Sequence, residues 1–161
     1  MKVSVIMGSM SDEPKVEGAI RILKDYGVEV SVRCLSAHRA ASALESYIEE
    51  LNQNGTEVII AAAGMAAALP GVIASKTIIP VIGVPLSGSV LDGVDALLSI
   101  VQMPSGIPVA TVAINGTKNA AYLALSILSN RHESVKEKLL AYRKQMMEDA
   151  LTANESLIEK Y

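Results

Sequence analysis

KVSVIMGSMSD, residues 2–12, is the stretch on which the reading of the fold turns. Residues 2–7 form a short apolar, β-branched run, the pattern of a strand covered on both faces. Gly8 to Asp12 is small and polar and reads as a turn. Residues 13–26 then carry Val16, Ile20 and Leu23 at helical spacing, with Gly27 as the stop. Ser11 or Asp12 can cap this helix, and Pro14 is tolerated in its first turn. Strand, tight turn and helix in this order begin a β-α-β unit, and such units build parallel sheets.

The same alternation runs outward through the rest of the chain. Residues 28–35 read as a second strand. Ser42 with Glu45 makes a capping box for a helix reaching about Asn54, stopped by Gly55. Residues 57–62 are a third strand, followed by a small-residue loop over 64–71 and a short helix near Lys76. Residues 78–84 are a fourth strand ending at Pro85, 92–102 a helix, 107–114 a fifth strand and 118–128 a helix. A long amphipathic helix covers 132 to about 153, with Val135, Leu139, Tyr142 and Met146 on one stripe. Beyond Asn154 the chain is expected to fray or to pack on a neighbouring subunit. The expected fold is α/β: one domain over residues 1–161, a five-stranded parallel sheet of order 2-1-3-4-5, helices on both faces and a long C-terminal helix.

Composition narrows the function. The chain has no Trp, no Phe and a formal net charge of -3, so neither base stacking nor a basic surface speaks for a nucleic-acid partner. A single cysteine excludes an internal disulfide and a metal site built on several thiolates. That residue, Cys34, is expected to be a buried small hydrophobe of the second strand. No uninterrupted apolar run is long enough for a membrane span. Strand-like sequence begins after Lys2, so no leader and a cytoplasmic location are expected.

Charge is very sparse between Thr56 and Asn130, where only Glu57, Lys76, Asp92, Asp95 and Lys118 carry it. Either the internal core is unusually large, or part of this surface is covered by other subunits. The second reading is favoured, because obligate interfaces are more apolar than ordinary surface.

Ligands of open α/β sheets bind beyond the carboxyl ends of the strands. Three loops fall there. The first, Gly8 to Asp12, offers serine hydroxyls and free backbone N–H groups that suit a phosphate, and Asp12 can accept from ribose hydroxyls; a plain helix cap explains the same residues. It is neither a Walker A loop nor the dinucleotide fingerprint. The second, Ser36-Ala37-His38-Arg39, sets an imidazole beside a guanidinium: a proton-transfer group next to an anion clamp. The third, Gly64-Met65-Ala66-Ala67-Ala68-Leu69-Pro70-Gly71, lets backbone approach a flat ligand closely, or a helix pack tightly on the sheet. A phosphoacceptor aspartate at the end of the third strand is absent, since Ala61-Ala62-Ala63-Gly64 stands there.

These three loops, with the stretch Ser99 to Ala110, resemble the signature segments of the carboxyaminoimidazole ribonucleotide mutase family, in matching order and spacing across essentially the whole chain. The resemblance implies a flavodoxin-like three-layer domain, a homo-octamer with sites at subunit contacts, and an isomerase of purine biosynthesis. It implies carboxylate transfer from the exocyclic nitrogen of a ribonucleotide to ring carbon C4. Ser9 and Arg39 would hold the phosphate and Asp12 the ribose. Ser11, Ser36, Gly64, Ala66 and Leu69 would complete the substrate site, and His38 would be the general acid and base. No metal or organic cofactor is implied.

A second class of the family, a carboxylase or lyase adding free carbon dioxide, typically has Lys after the His, so Arg39 favours the mutase. The chain departs from the family pattern at Met65, usually Gly, at Ala68, usually His, and at Ala40-Ala41, usually Thr-Pro. Ala68 keeps the carboxylase and a non-catalytic nucleotide-binding homologue as alternatives. The other histidine, His132, lies far along the chain and is not expected to replace the missing imidazole.

Overall fold

In the computed structural model, which describes residues 1–161, Lys2–Met7 (β1) is hydrogen-bonded on one side to Glu29–Cys34 (β2) and on the other to Val58–Gly64 (β3). Val81–Leu86 (β4) follows β3, and Ala110–Thr111 (β5) closes the row. Every pairing is parallel, and the order is β2-β1-β3-β4-β5, as the sequence pattern predicts. The helices are Glu13–Asp25 (α1), Ala41–Gln53 (α2), Leu69–Ala74 (α3), Val94–Val101 (α4), Thr117–Leu128 (α5) and Glu133–Lys160 (α6).

Side chains alternate across each strand, which divides the core in two. Val3, Val5 and Met7 of β1, Val58, Ile60 and Ala62 of β3, and Ile82, Val84 and Leu86 of β4 pack under α1, α5 and the start of α6. Ile6, Ile59, Ala61, Ala63 and Val81 face the other way, against α2, α3 and α4. Ser4 is the polar exception on that second face. It is fully buried, and its hydroxyl bonds the Tyr47 hydroxyl at 3.0 Å, which in turn donates to Ser31 Oγ at 2.8 Å. Gly83 is glycine because α4 lies directly on β4: an added Cβ would stand 2.4 Å from Ile100 Cγ2.

Several sequence-based expectations are corrected. Cys34 is exposed rather than buried, because β2 is an edge strand and its last residues run out from under the helices. Ser42 and Glu45 form no capping box. The turn after β2 bonds Ala40 N–H to Ser36 O and feeds straight into α2 at Ala41, with no side-chain cap; Glu45 instead pairs with Lys76 at 2.5 Å. Neither Ser11 nor Asp12 caps α1 through its side chain.

β4 starts at Val81, after Pro80, and continues through Pro85. The proline is tolerated because β5 pairs only with Ile82 and Gly83, so no ladder bond is lost at Pro85. β5 has two residues in place of the expected eight-residue span 107–114, since Pro108 cannot donate and the strand lies at the edge. α4 begins at Val94, because Asp92 (φ 49°) and Gly93 (φ 92°) hold left-handed backbone that a helix cannot continue.

α6 does not fray after Asn154; it runs on to Lys160. Of its expected stripe only Val135 and Leu139 are buried, whereas Tyr142 and Met146 are exposed. Every residue from Leu140 to Tyr161 is exposed, so the second half of this helix stands away from the body. No helix is long and apolar enough to cross a membrane.

Candidate active site

The carboxyl ends of β1, β2, β3 and β4 open into one cleft of about 750 Å³. All the residues singled out from sequence line it: Ser9, Ser11 and Asp12 from the first loop, Ser36, His38 and Arg39 from the second, Gly64, Ala66 and Leu69 from the third. They meet because three adjacent parallel strands end on the same edge.

The first loop is shaped by Ser9. In extended backbone (φ -150°, ψ 150°), it caps a 3₁₀ turn at Met10–Asp12, and its Oγ accepts from Ser11 N–H at 3.4 Å and Ser11 Oγ at 2.9 Å. The Asp12 carboxyl is therefore not spent on capping α1. Burial pushes it above its ordinary value of 3.8, and the Lys15 charge and a backbone hydrogen bond from Ser9 pull it back only in part.

Ser36 organises the second loop. Its Oγ accepts from Arg39 N–H at 3.3 Å and, more weakly, from Arg39 Nε at 3.5 Å, while its carbonyl accepts from Ala40 N–H. The guanidinium reaches back to the first loop, donating from Nη2 to Gly8 O at 3.4 Å. Arg39 and the serine hydroxyls thus face one corner, the composition of an anion site. His38 stands exposed at the mouth. The other histidine is committed elsewhere: His132 Nε2 lies 2.7 Å from Glu57 Oε1, beyond the opposite end of β3.

The third loop lines the cleft with Ala63, Gly64, Met65, Ala66, Ala67 and Ala68 before α3 begins at Leu69. Met65 holds φ 57°, left-handed backbone that favours glycine, with its side chain exposed. The family pattern's Gly at this position is thus a backbone requirement that Met65 meets under strain. Ala68 is partly buried in the cleft wall and offers no proton-transfer group.

Sequence reasoning missed Lys15, Ser87 and Gly88, which also line the cleft. Lys15 follows Asp12 by three positions, the spacing that stacks residues on one helix face. Ser87 and Gly88 follow β4, whose carboxyl end lies beside that of β3, so the order 2-1-3-4-5 places them at the same edge.

A family model described as AIR carboxylase matches residues 2–149. An N5-carboxyaminoimidazole ribonucleotide mutase of Pyrococcus abyssi is 54% identical over 145 residues, covering 90% of this chain and 83% of that protein. A phosphoribosylaminoimidazole carboxylase of Saccharomyces cerevisiae is 47% identical over 155 residues, which are 96% of this chain and 27% of that longer protein. Among solved structures, PurE of Treponema denticola superposes with a TM-score of 0.89 at 29% identity, covering 97% of this chain and 98% of that one.

Proposed function

The chain belongs to the AIR carboxylase family, and from that premise we propose that it is an N5-carboxyaminoimidazole ribonucleotide mutase, an isomerase of purine biosynthesis. The observation that carries the reading is the meeting of His38, Arg39, the serine loop and an alanine-lined wall in one cleft. These are the parts that a phosphorylated ribonucleotide with a mobile carboxylate requires.

The chemistry follows from the cleft. Ser9 and Arg39 hold the phosphate, with Ser11 and Ser36 beside them, and Asp12 accepts from the ribose hydroxyls. His38, as imidazolium, gives a proton to the exocyclic nitrogen as its bond to the carboxylate breaks and carbon dioxide leaves. The electron pair stays with the ring system, so C4 is nucleophilic. C4 attacks the trapped carbon dioxide, a carbon–carbon bond forms, and the C4 proton passes to the neutral imidazole. The proton account closes, and His38 ends as it began. Ala63, Ala66, Ala67 and Ala68 give an apolar wall against which uncharged carbon dioxide is retained and water is kept out. Gly64 and Leu69 shape the floor under the ring. No cofactor is drawn on, because the substrate carries both the carboxylate and the electron-rich ring.

The reading includes a homo-octamer in the cytoplasm. Association between subunits is supported by the apolar side chains left exposed along α4 and the second half of α6: Val94, Leu98, Val101, Met146, Met147 and Leu151. The test is an ultraviolet assay for the C4-carboxylated product with two feeds, freshly made N-carboxylated ribonucleotide and the unmodified ribonucleotide with bicarbonate. Rapid turnover of the first alone is expected. Efficient turnover of the second at low bicarbonate would make the protein a carboxylase, and silence in both would defeat the enzymatic reading.

A further inference from the structure

The segment that follows β4 is held with unusual completeness at one residue. Asn115 Oδ1 accepts from Ser87 N–H at 3.0 Å, and Asn115 Nδ2 donates to Ser87 Oγ at 2.8 Å. Lys15 Nζ donates to the Ser87 carbonyl at 2.6 Å. Both backbone groups of Ser87 are therefore occupied, and its Oγ already accepts one bond. A serine hydroxyl has one proton to donate, and here that proton is left for the cleft that Ser87 lines. Lys15, at the same corner, has further N–H donors beyond the one spent on Ser87. A hydroxyl donor beside an ammonium suits an anionic oxygen.

Asn115 is itself held for this task. It sits after β5, 28 positions from Ser87 along the chain, and its own N–H bonds Pro85 O at 2.8 Å. Its backbone is left-handed at φ 57°, a conformation Asn tolerates better than most residues. The reach from beyond β5 to the end of β4 is short because these strands are neighbours.

We propose that Ser87 is a substrate-contacting residue whose hydroxyl donates to an anionic oxygen of the ribonucleotide, its phosphate or its carboxylate, and that Asn115 is the positioning residue that aims it. This rests on the mutase reading above. A contact to the phosphate, made equally before and during the reaction, changes KM and leaves kcat in place, whereas a contact to the carboxylate, which leaves as carbon dioxide, changes kcat as well.

The test compares the full-length protein with Ser87→Ala, Asn115→Gly, Asn115→Asp and the double variant Ser87→Ala/Asn115→Gly. Glycine keeps the left-handed backbone and removes only the clamp; aspartate keeps the acceptor for the Ser87 N–H but replaces the Nδ2 donor by an oxygen that takes the Ser87 hydroxyl proton. Loss of one hydrogen bond predicts a rise in KM of about fivefold for Ser87→Ala and Asn115→Gly, with kcat within about twofold of wild type for a phosphate contact and lowered as well for a carboxylate contact. Asn115→Asp is expected to bind no better than Asn115→Gly, because its carboxylate claims the Ser87 proton, and the double variant is no worse than Ser87→Ala, because the two residues act through one bond.

Calorimetric binding of the unmodified ribonucleotide and of the C4-carboxylated product then locates the contact. Weakening of both assigns it to the phosphate, and weakening of the carboxylated compound alone assigns it to the carboxylate. Unchanged KM and binding in Asn115→Gly, or additive losses in the double variant, would overturn the proposal. A wild type that turns over neither feed would instead defeat the mutase reading, a distinct result.

Discussion

Single residues set what the cleft can do. Replacing His38 by Asn keeps the ring's approximate size and removes the proton transfer proposed for it. Turnover is expected to fall by about 10²- to 10⁴-fold, with product binding by calorimetry largely retained. A comparable fall in affinity would show that His38 binds rather than catalyses. Asp12 bears on stability as well as on binding. Its folded-state value is raised by burial, so the folded protein holds that proton more tightly than the unfolded chain does. Stability therefore declines as pH rises from 3.8 through the raised value, and the penalty is fully present above it. Asp12→Asn should melt higher than wild type at neutral pH, the gap closing below pH 3.8, while binding the ribonucleotide less well. A gap that widens on acidification would refute this account. Met65→Gly relieves left-handed backbone and is expected to stabilise the fold by about 1 kcal/mol in urea melts, less what the unfolded glycine gains in freedom. The candidate site was legible in sequence where distinctive side chains mark the cleft, as with His38, Arg39 and Asp12. Ser87 was not, because an ordinary serine becomes a candidate only when Asn115 and Lys15 are seen to converge on it.

Elements were legible to the extent that their own pattern governs them. β1, β3, α1 and α5 lie where apolar run and helical spacing place them, since each buries a face of its own against the sheet. The departures fall where a neighbour decides. β5 is shortened by its edge position, β2 exposes Cys34 for the same reason, and α2 starts one residue before Ser42 because the turn that bonds Ala40 N–H to Ser36 O leads directly into Ala41. Contact between α4 and β4 gives the prediction at this scale. A methyl group at Gly83 would collide with Ile100 on α4 and with Val109, whose Cγ1 would be 2.9 Å away. Gly83→Ala should cost about 1–3 kcal/mol by denaturant titration. Because β4 leads directly to Ser87, it should also raise KM. A variant as stable as wild type would mean that α4 rides freely over the sheet.

At the scale of the molecule, the cleft and the α6 arm divide the work. The core is complete without the arm, since nothing beyond Leu139 on α6 is buried. Deletion of residues 144–161 is therefore expected to leave the subunit fold intact by circular dichroism. It should also remove apolar surface that the proposed octamer covers, giving a smaller species in sedimentation. An octamer of unchanged mass would place the subunit contacts elsewhere. Charge sparsity between Thr56 and Asn130 is what the proposed assembly would leave in the sequence, but it carries no geometry, and the proposed subunit number rests on the family resemblance alone.

The root of the arm has a use of its own. Tyr122 on α5 stacks face to face with Tyr142 on α6, with ring centroids 5.0 Å apart, and Tyr26 meets Tyr122 edge-on at 6.4 Å. With no Trp and five Tyr in the chain, this trio makes up most of its ultraviolet chromophores. Stacked phenols couple optically, so their near-ultraviolet dichroism and quenched emission form a built-in gauge of whether α6 is seated. Lifting the helix would brighten the protein without any label.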